Sequence, residues 1–298
     1  MSLTINHNMM AMNTARNLSA SYSALATSTQ RLSSGLRVNT AADDAAGLAV
    51  REIMRAEIKS LQQGIRNAND SISMIQTADG ALGVIDEKLI RMKELAMQAS
   101  TGTYSSDQRL IIDSEYQAMA SEITRIANST DFNGIHLLNG NLSGTSSSHN
   151  GAGITATGPL KVHFGTGNDS AEDYYYVSIN NSTASALGVG AGTASTNGKS
   201  ISTQELAQKA LDSLNDAIVS KDKIRANLGA MQNRLENTIT NLSIQAENTQ
   251  SAESQISDVD VATEMTEFTR NQILTQASVA MLSQANGLGK LALQLIGG

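Results

Sequence analysis

Between residues 47 and 100 the apolar side chains fall at Ile58, Leu61, Ile65, Ala68, Ile72, Ile75, Leu82, Ile85, Leu89, Met92, Leu95 and Ala99. Steps of three and four sustained over that distance describe a single amphipathic helix, and no proline interrupts it. Gly64, Gly80 and Gly83 weaken the helix locally without changing its period. Such a helix extends roughly 80 Å, which suits a rod rather than an ordinary compact domain. A rod cannot bury its own apolar stripe, so it requires partners of similar length.

The chain supplies them on both sides. Residues 1–35 carry Ile5, Met9, Met12, Ala15, Leu18, Tyr22, Leu25 and Leu32 in helical phase, with heptad-like steps toward the end. The remaining positions are mostly Asn, Ser, Thr and Gln, where a solvated helix normally uses Glu and Lys. That low-charge face suits burial against other subunits, and equally suits local disorder in the isolated chain. Gly35 ends this helix, and Asp43 or Asp44 caps the long one that starts near Ala45. Ser106 reads as the cap of a further helix over 107–127, with the stripe Leu110, Tyr116, Met119, Ile123 and Ile126. The short connection predicts that it folds back antiparallel. Helical signal resumes after a Ser202 or Thr203 cap and runs to about Glu253 with one interruption, through Leu206, Leu211, Leu214, Ile218, Ile224, Leu228, Met231, Leu235, Ile239 and Leu242. Residues 259–295 are the last helix, with Phe268, Leu274, Ala277, Met281, Leu288, Leu291 and Leu295 in phase and Gly287 and Gly289 weakening its end.

The middle of the chain differs. Asn133-Gly134 is a strong turn signal, and residues 160–165 and 174–179 read as the strands of a small hairpin. Residues 142–158 and 184–199 are rich in Ser, Gly, Thr, Ala and Asn, and read as the most exposed part of the molecule. Residues 1–40 hold Arg16, Arg31 and Arg37 and no acid, whereas the last helix begins with Asp258, Asp260, Glu264 and Glu267. Opposite charge favours pairing of the two ends, although surface pairs contribute only about 0–1 kcal/mol each.

Chemistry is not apparent. The four histidines have no metal-ligand spacing, cysteine is absent, and Asp43-Asp44 reads as capping rather than as a catalytic pair. Gly188, Gly190 and Gly192 lack the Gly-Lys-Ser/Thr of a phosphate loop, and the helical methionines read as packing residues. A net charge of −7 without a basic stripe disfavours nucleic acid. No apolar run is long enough to cross a membrane, and the N-terminus lacks the pattern of a general secretory signal. The expectation is a structural building block with no catalytic residue, cofactor or metal. Its fold class is mainly α: an elongated antiparallel helical rod, with coiled-coil-like terminal helices, a long-helix bundle and a small β-hairpin region.

Long ordered segments stand out: QRLSSGLRVNTAADDAAGLAV at 30–50, NDSISMIQTADGAL at 69–82, RMKELAMQA at 91–99 and DFNG at 131–134. The second half adds LGAMQNRLENTITNL at 228–242 and ATEMTEFTRNQILTQASVAMLSQAN at 262–286. These segments resemble bacterial flagellin. The resemblance implies two parts. Residues 1–43 and 255–298 would pair as the inner-tube domain, and 44–254 would form a rod-like domain with its β region at about 131–199. The large outer domains of longer relatives would be missing. The implied function is self-assembly into the hollow helical filament that serves as the extracellular motility propeller, after type III export. Subunit packing would fall to Ile5, Met9, Leu18, Leu25, Leu32, Phe268, Leu274, Met281, Leu291 and Leu295.

Implied partners are further copies of the chain, an export chaperone on the C-terminal helix, and the hook–filament junction and cap proteins. A vertebrate innate immune receptor recognises many flagellins through a motif matched here by Arg91, Leu95 and Glu115. Ile90 and Lys93 depart from the common Gln and Arg of that motif, and the tail GLGKLALQLIGG lacks a terminal Arg. The alternative is a flagellin-like hook–filament junction protein; QNRLENTITNL and DDAAGLAV favour flagellin. An enzymatic insert would need a metal motif within 141–199, and none is present.

Overall fold

The computed structural model describes residues 8–144, 158–170, 172–190 and 198–296, with side chains through residue 287. Five helices are present among the described residues: α1 (Met9–Ser34), α2 (Ala45–Ser100), α3 (Ser106–Ser129), α4 (Gln204–Ser257) and α5 (Val261–Ile296). The strands are short: β1 (Asp131–Phe132), β2 (Ile135–His136), β3 (Leu160–His163) and β4 (Tyr174–Val177). The chain divides into two compact units, one of residues 1–58 and 247–298, the other of residues 59–246.

In the first unit α1 and α5 pair antiparallel: Asn8 Nδ2 donates to the Ala285 carbonyl at 2.9 Å, and Arg31 meets Glu264 at 3.6 Å. Gly35, at φ +73°, closes α1 by donating to Arg31 O. The two connections beyond then bridge each other. Arg37 N donates to Ser257 O and Val259 N to Gly35 O, with Leu36 opposite Asp258. The two adjacent aspartates divide their work. Asp44 caps α2, accepting from Gly47 N at 2.9 Å, while Asp43 holds the preceding turn through the amides of Asn39 and Thr40. At α5 the cap is Asp260, which accepts from Ala262 N and the Thr263 hydroxyl. The helix continues through Gly287 and Gly289 to Ile296.

The second unit is built on a heptad seam. Leu61, Ala68, Ile75, Leu82, Leu89 and Ala96 of α2 are buried seven residues apart, with Ala78, Ile85, Met92 and Ala99 alongside. Ala207, Leu214, Lys221, Leu228, Leu235 and Leu242 form the matching row of α4, so a lysine occupies a core position. Lys221 is 2 % exposed, and its ammonium meets Asp86 at 2.6 Å and Asp222 at 2.7 Å. Four residues along, Arg225 pairs with Asp79 at 2.7 Å, which fixes α2 and α4 as antiparallel. No interruption divides α4, and Thr203 is its cap.

Helix α3 folds back on α2. Its cap is Ser105 rather than Ser106, in a capping box with Gln108. Its buried stripe runs through Ile112, Tyr116, Ala120, Ile123 and Ala127, and Leu110 is exposed. Ile112 takes the inward position because Tyr116 and Ala120 follow it at helical spacing; Leu110 lies off that line. The Tyr116 hydroxyl donates to Gly198 O at 2.7 Å, and burial pushes it well above the ordinary tyrosine range.

The expected exposure of residues 184–199 holds only in part where they are described. Ser185, Ala186 and Gly188 are exposed, but Ala184, Leu187, Val189, Gly190 and Gly198 are buried, as are the flanking Ser182, Ser200 and Ile201. Gly190, at φ +76°, lets the backbone lie directly on Ala120, where any side chain would collide. Most of the expected loop at 142–158 lies outside the described residues. The DFNG turn joins β1 and β2, with Asn133 and Gly134 both at positive φ, as a two-residue hairpin requires. Strands β3 and β4 pair antiparallel, with Val162 opposite Tyr175. Their inward face buries Val162 and Val177, and Arg234 of α4 stacks over Tyr175 at 3.5 Å.

The helical glycines are not equivalent. Gly64 sits where the Phe164 carbonyl meets α2, and a Cβ there would collide with it; Gly80 faces open space. Gly80→Ala is therefore expected to stabilise the fold by about 0.5–1 kcal/mol. Gly64→Ala should destabilise it by about 1–3 kcal/mol in chemical denaturation. Equal effects would refute the close approach of β3 to α2. A second expectation concerns acid. The bonds from Thr263 and Ala262 hold the Asp260 carboxyl below its ordinary value. Its stabilisation is therefore present above that value and is lost as pH falls through the depressed one. Amide exchange at Ala262 and Thr263, corrected for intrinsic rate, should rise below about pH 4. Asp260→Asn, which retains a cap, should flatten the dependence; a flat profile in the unaltered chain would disprove the role.

Candidate assembly surface

The terminal pair α1 and α5 has two kinds of face. The shielded positions of α1 are Ala11, Thr14, Leu18, Ser21, Leu25, Ser28 and Leu32, in alternating steps of three and four. Those of α5 are Glu264, Phe268, Asn271, Thr275, Ser278, Leu282 and Ala285, at the same spacing. This is a heptad seam in which leucines alternate with small or hydroxylated residues. It buries less apolar surface than the seam of the second unit, and the difference scales at roughly 25 cal/mol per Å².

The outward face carries large apolar side chains of its own. Met9 is 57 % exposed, Leu274 47 % and Met281 59 %, and Met10, Met12, Tyr22, Val261, Met265, Ile273 and Val279 are exposed with them. The residues assigned to packing thus separate by location. Leu18, Leu25, Leu32 and Phe268 lie in the seam within one chain, while Met9, Leu274 and Met281 point away from it. Ile5 lies outside the described residues, as do the side chains of Leu291 and Leu295. Of the seam's polar members, Glu264 was named in sequence only as a charge favouring pairing of the two ends, whereas Ser28 and Thr275 were passed over; all three are buried. The signal of Ser28 and Thr275 was the unbroken heptad spacing, which an apolar stripe search overlooks.

Charge is sparse on this pair. Arg31 approaches Glu264 across the helices, its Nε buried with no partner, and Arg37 donates to Ile256 O at 2.6 Å. Arg270 and Glu267 pair within α5.

Arg91, Leu95 and Glu115 come together in the second unit. Arg91 donates to Glu115 Oε1 through Nε at 3.0 Å and through a terminal nitrogen at 2.8 Å, and it also reaches Glu94 at 3.0 Å. Glu115, then Glu94, raise the Arg91 guanidinium above its ordinary value. Both members of the pair are about half exposed, whereas Leu95 is 1 % exposed and packs in the core beneath them. Ile90, Met97, Leu110 and Ile111 are exposed on the same two helices. Among the described residues no group of His, Cys, Asp and Glu is arranged to hold a metal, and no helix is long and apolar enough to cross a membrane.

Family comparison accounts for this arrangement. The bacterial flagellin N-terminal helical region matches residues 5–143, and the C-terminal helical region matches residues 211–296. Flagellin FlaB2 of Treponema pallidum (strain Nichols) is 40 % identical over 295 residues, covering 99 % of this chain and 100 % of that one. The flagellin of Bacillus subtilis (strain 168) is 41 % identical over 311 residues, with the same coverage. A structure described as a flagellar hook-associated protein from Vibrio parahaemolyticus covers 72 % of this chain and 100 % of its own, at a TM-score of 0.55 and 14 % identity, a likeness of fold alone. Matched at both ends by the family's two helical regions and along nearly its whole length by its members, this chain belongs to the bacterial flagellin family.

Proposed function

We propose that the terminal helices, residues 1–43 and 255–298, line the inner tube of a flagellar filament, and that residues 44–254 form the domain outside it. The chain is a structural subunit that self-assembles into the extracellular filament of the bacterial flagellum. The observation that supports the placement is the outward apolar face of α1 and α5. In a single chain Met9, Ile273, Leu274 and Met281 are exposed although their helices are almost free of charge. Large apolar side chains outside the seam contribute stability only when they are covered, and further copies of the same pair provide the cover. Contacts of this heterologous kind, which do not close on themselves, extend into an open filament.

Export as an unfolded chain suits so thinly packed a pair of terminal helices. We assign the export chaperone to the C-terminal helix, and the junction and cap proteins to the two ends of the growing stack. Recognition by a vertebrate innate receptor would use the exposed Arg91–Glu115 pair, with Leu95 supporting it from below.

Three experiments test these assignments. Heat-dissociated protein returned to assembly conditions should form long tubes by electron microscopy, and a form lacking residues 1–35 and 260–298 should form none. Ile273→Lys with Leu274→Lys should leave the second unit's melting unchanged. Burying a charge at the contact costs about 3 kcal/mol, so the critical concentration should rise about 100-fold. Unchanged assembly would remove this face from the contact. For the receptor, Arg91→Ala and Glu115→Ala should change stability by less than about 1 kcal/mol yet lower reporter-cell signalling. Leu95→Ala should lower both, losing about 2–5 kcal/mol. Full signalling from the Arg91 and Glu115 variants would refute that assignment.

A further inference from the structure

The chain has no cysteine and no tryptophan but carries twelve methionines, so methionine sulfur is its readily oxidised group. Met74 and Met92 are buried in the second unit's core, and Met54, Met119 and Met231 are partly buried. Met9, Met10, Met12, Met265 and Met281 are each about half exposed on α1 and α5, and Met97 is exposed on α2. Their placement is uneven. Met9, Met10 and Met12 open α1, and Met281 lies one helical turn before Ala285, whose carbonyl receives the Asn8 amide. Four thioethers thus sit at one end of the helix pair, and Met265 sits at the other, one residue from Glu264.

We propose that these five methionines are an oxidation site that gates assembly, with hydrogen peroxide as the class of oxidant. The Sδ lone pair attacks one peroxide oxygen, the O–O bond breaks, and a sulfoxide and one water form. The sulfur loses two electrons and the peroxide gains them. A flexible apolar side chain thereby becomes a strong hydrogen-bond acceptor.

Such an acceptor is costly to cover. Several neighbouring hydroxyls are committed to their own helices: Thr14 donates to Met10 O, and Thr266, Thr269 and Thr275 donate to the carbonyls four residues before them. Backbone amides past the first turn of each helix are committed too. A sulfoxide covered by a further helix pair exchanges water for few donors, whereas in the free subunit water serves it. Oxidation therefore disfavours the assembled state and leaves the monomer's second unit intact. Assembly in turn shields the sulfurs, so a finished filament resists an oxidant that disables subunits in transit.

The inference rests on the reading that this face is the subunit contact, and the test separates the two. Monomer and filament are each exposed to dilute hydrogen peroxide, sulfoxides are mapped by peptide mass spectrometry, and treated monomer is returned to assembly conditions. In the monomer Met9, Met10, Met12, Met265, Met281 and the exposed Met97 should oxidise, while Met74 and Met92 should not. The critical concentration should rise at least about tenfold. The variant M9L/M10L/M12L/M265L/M281L should assemble after peroxide as it does before, and Met97→Leu alone should give no rescue. If treated monomer assembles normally, or the five-leucine variant is equally disabled, the gate is refuted. Equal oxidation of the five sulfurs in filament and monomer would instead refute the contact face itself.

Discussion

Helices α2 and α4 each run for more than fifty residues, and neither can keep its apolar row dry without the other. Burial along their shared seam is the constraint from which the rest follows. It requires leucine, isoleucine, methionine and alanine every third and fourth position, and that requirement leaves the remaining faces for charge. Helix α3 adds a second wall, and the segments on either side of the β3–β4 hairpin fill the space at its edge, so Val162, Phe164, Val189 and Ile201 join the same core. Glycine enters this seam only where backbone must touch backbone, as at Gly64 under Phe164.

The terminal pair obeys the same heptad rule with different side chains. Ser21, Ser28, Asn271, Thr275 and Ser278 occupy positions that hold leucine or isoleucine in the other unit. Small residues bring the helices close but bury little apolar area, so the attraction within the pair is modest. The large side chains that would have strengthened it, Ile273, Leu274 and Met281 among them, face outward instead. These side chains therefore add nothing to cohesion within the pair.

Some of this was plain in the amino-acid order. The row from Ile58 to Ala99 is legible because one helix buries one continuous stripe, and local periodicity records it. The Asn133-Gly134 turn was legible because two adjacent residues specify it, and the β3–β4 pairing because two β-rich runs lie close together in the chain. Other features have no local signature. Ser182, Ala184 and Val189 look like exposed linker in composition, and only contact with distant residues such as Ala120 makes them interior. In α1 the apolar stripe mixes the seam leucines Leu18, Leu25 and Leu32 with the exposed Met9, Met12 and Tyr22, and it omits Ser21 and Ser28, which lie between those leucines in the seam. Hydrophobicity alone does not reveal which apolar face belongs to the chain and which to its neighbours.

The lysine within α4's leucine row bears on how the chain avoids misfolding. A repeat of seven invites a slip of seven, about 10 Å along the axis, in which leucine still meets leucine. Asp79 and Asp86 are themselves seven residues apart, so a slipped pairing would place the two cations at new stations. Moved one way, Lys221 finds Asp79 but Arg225 is carried to Ile72. Moved the other, Arg225 finds Asp86 but Lys221 faces Lys93. Each displaced alignment strands one charge, and only the native one matches both. The row that drives collapse thus carries its own register mark, which disfavours the slipped alignments that regular heptads would otherwise permit.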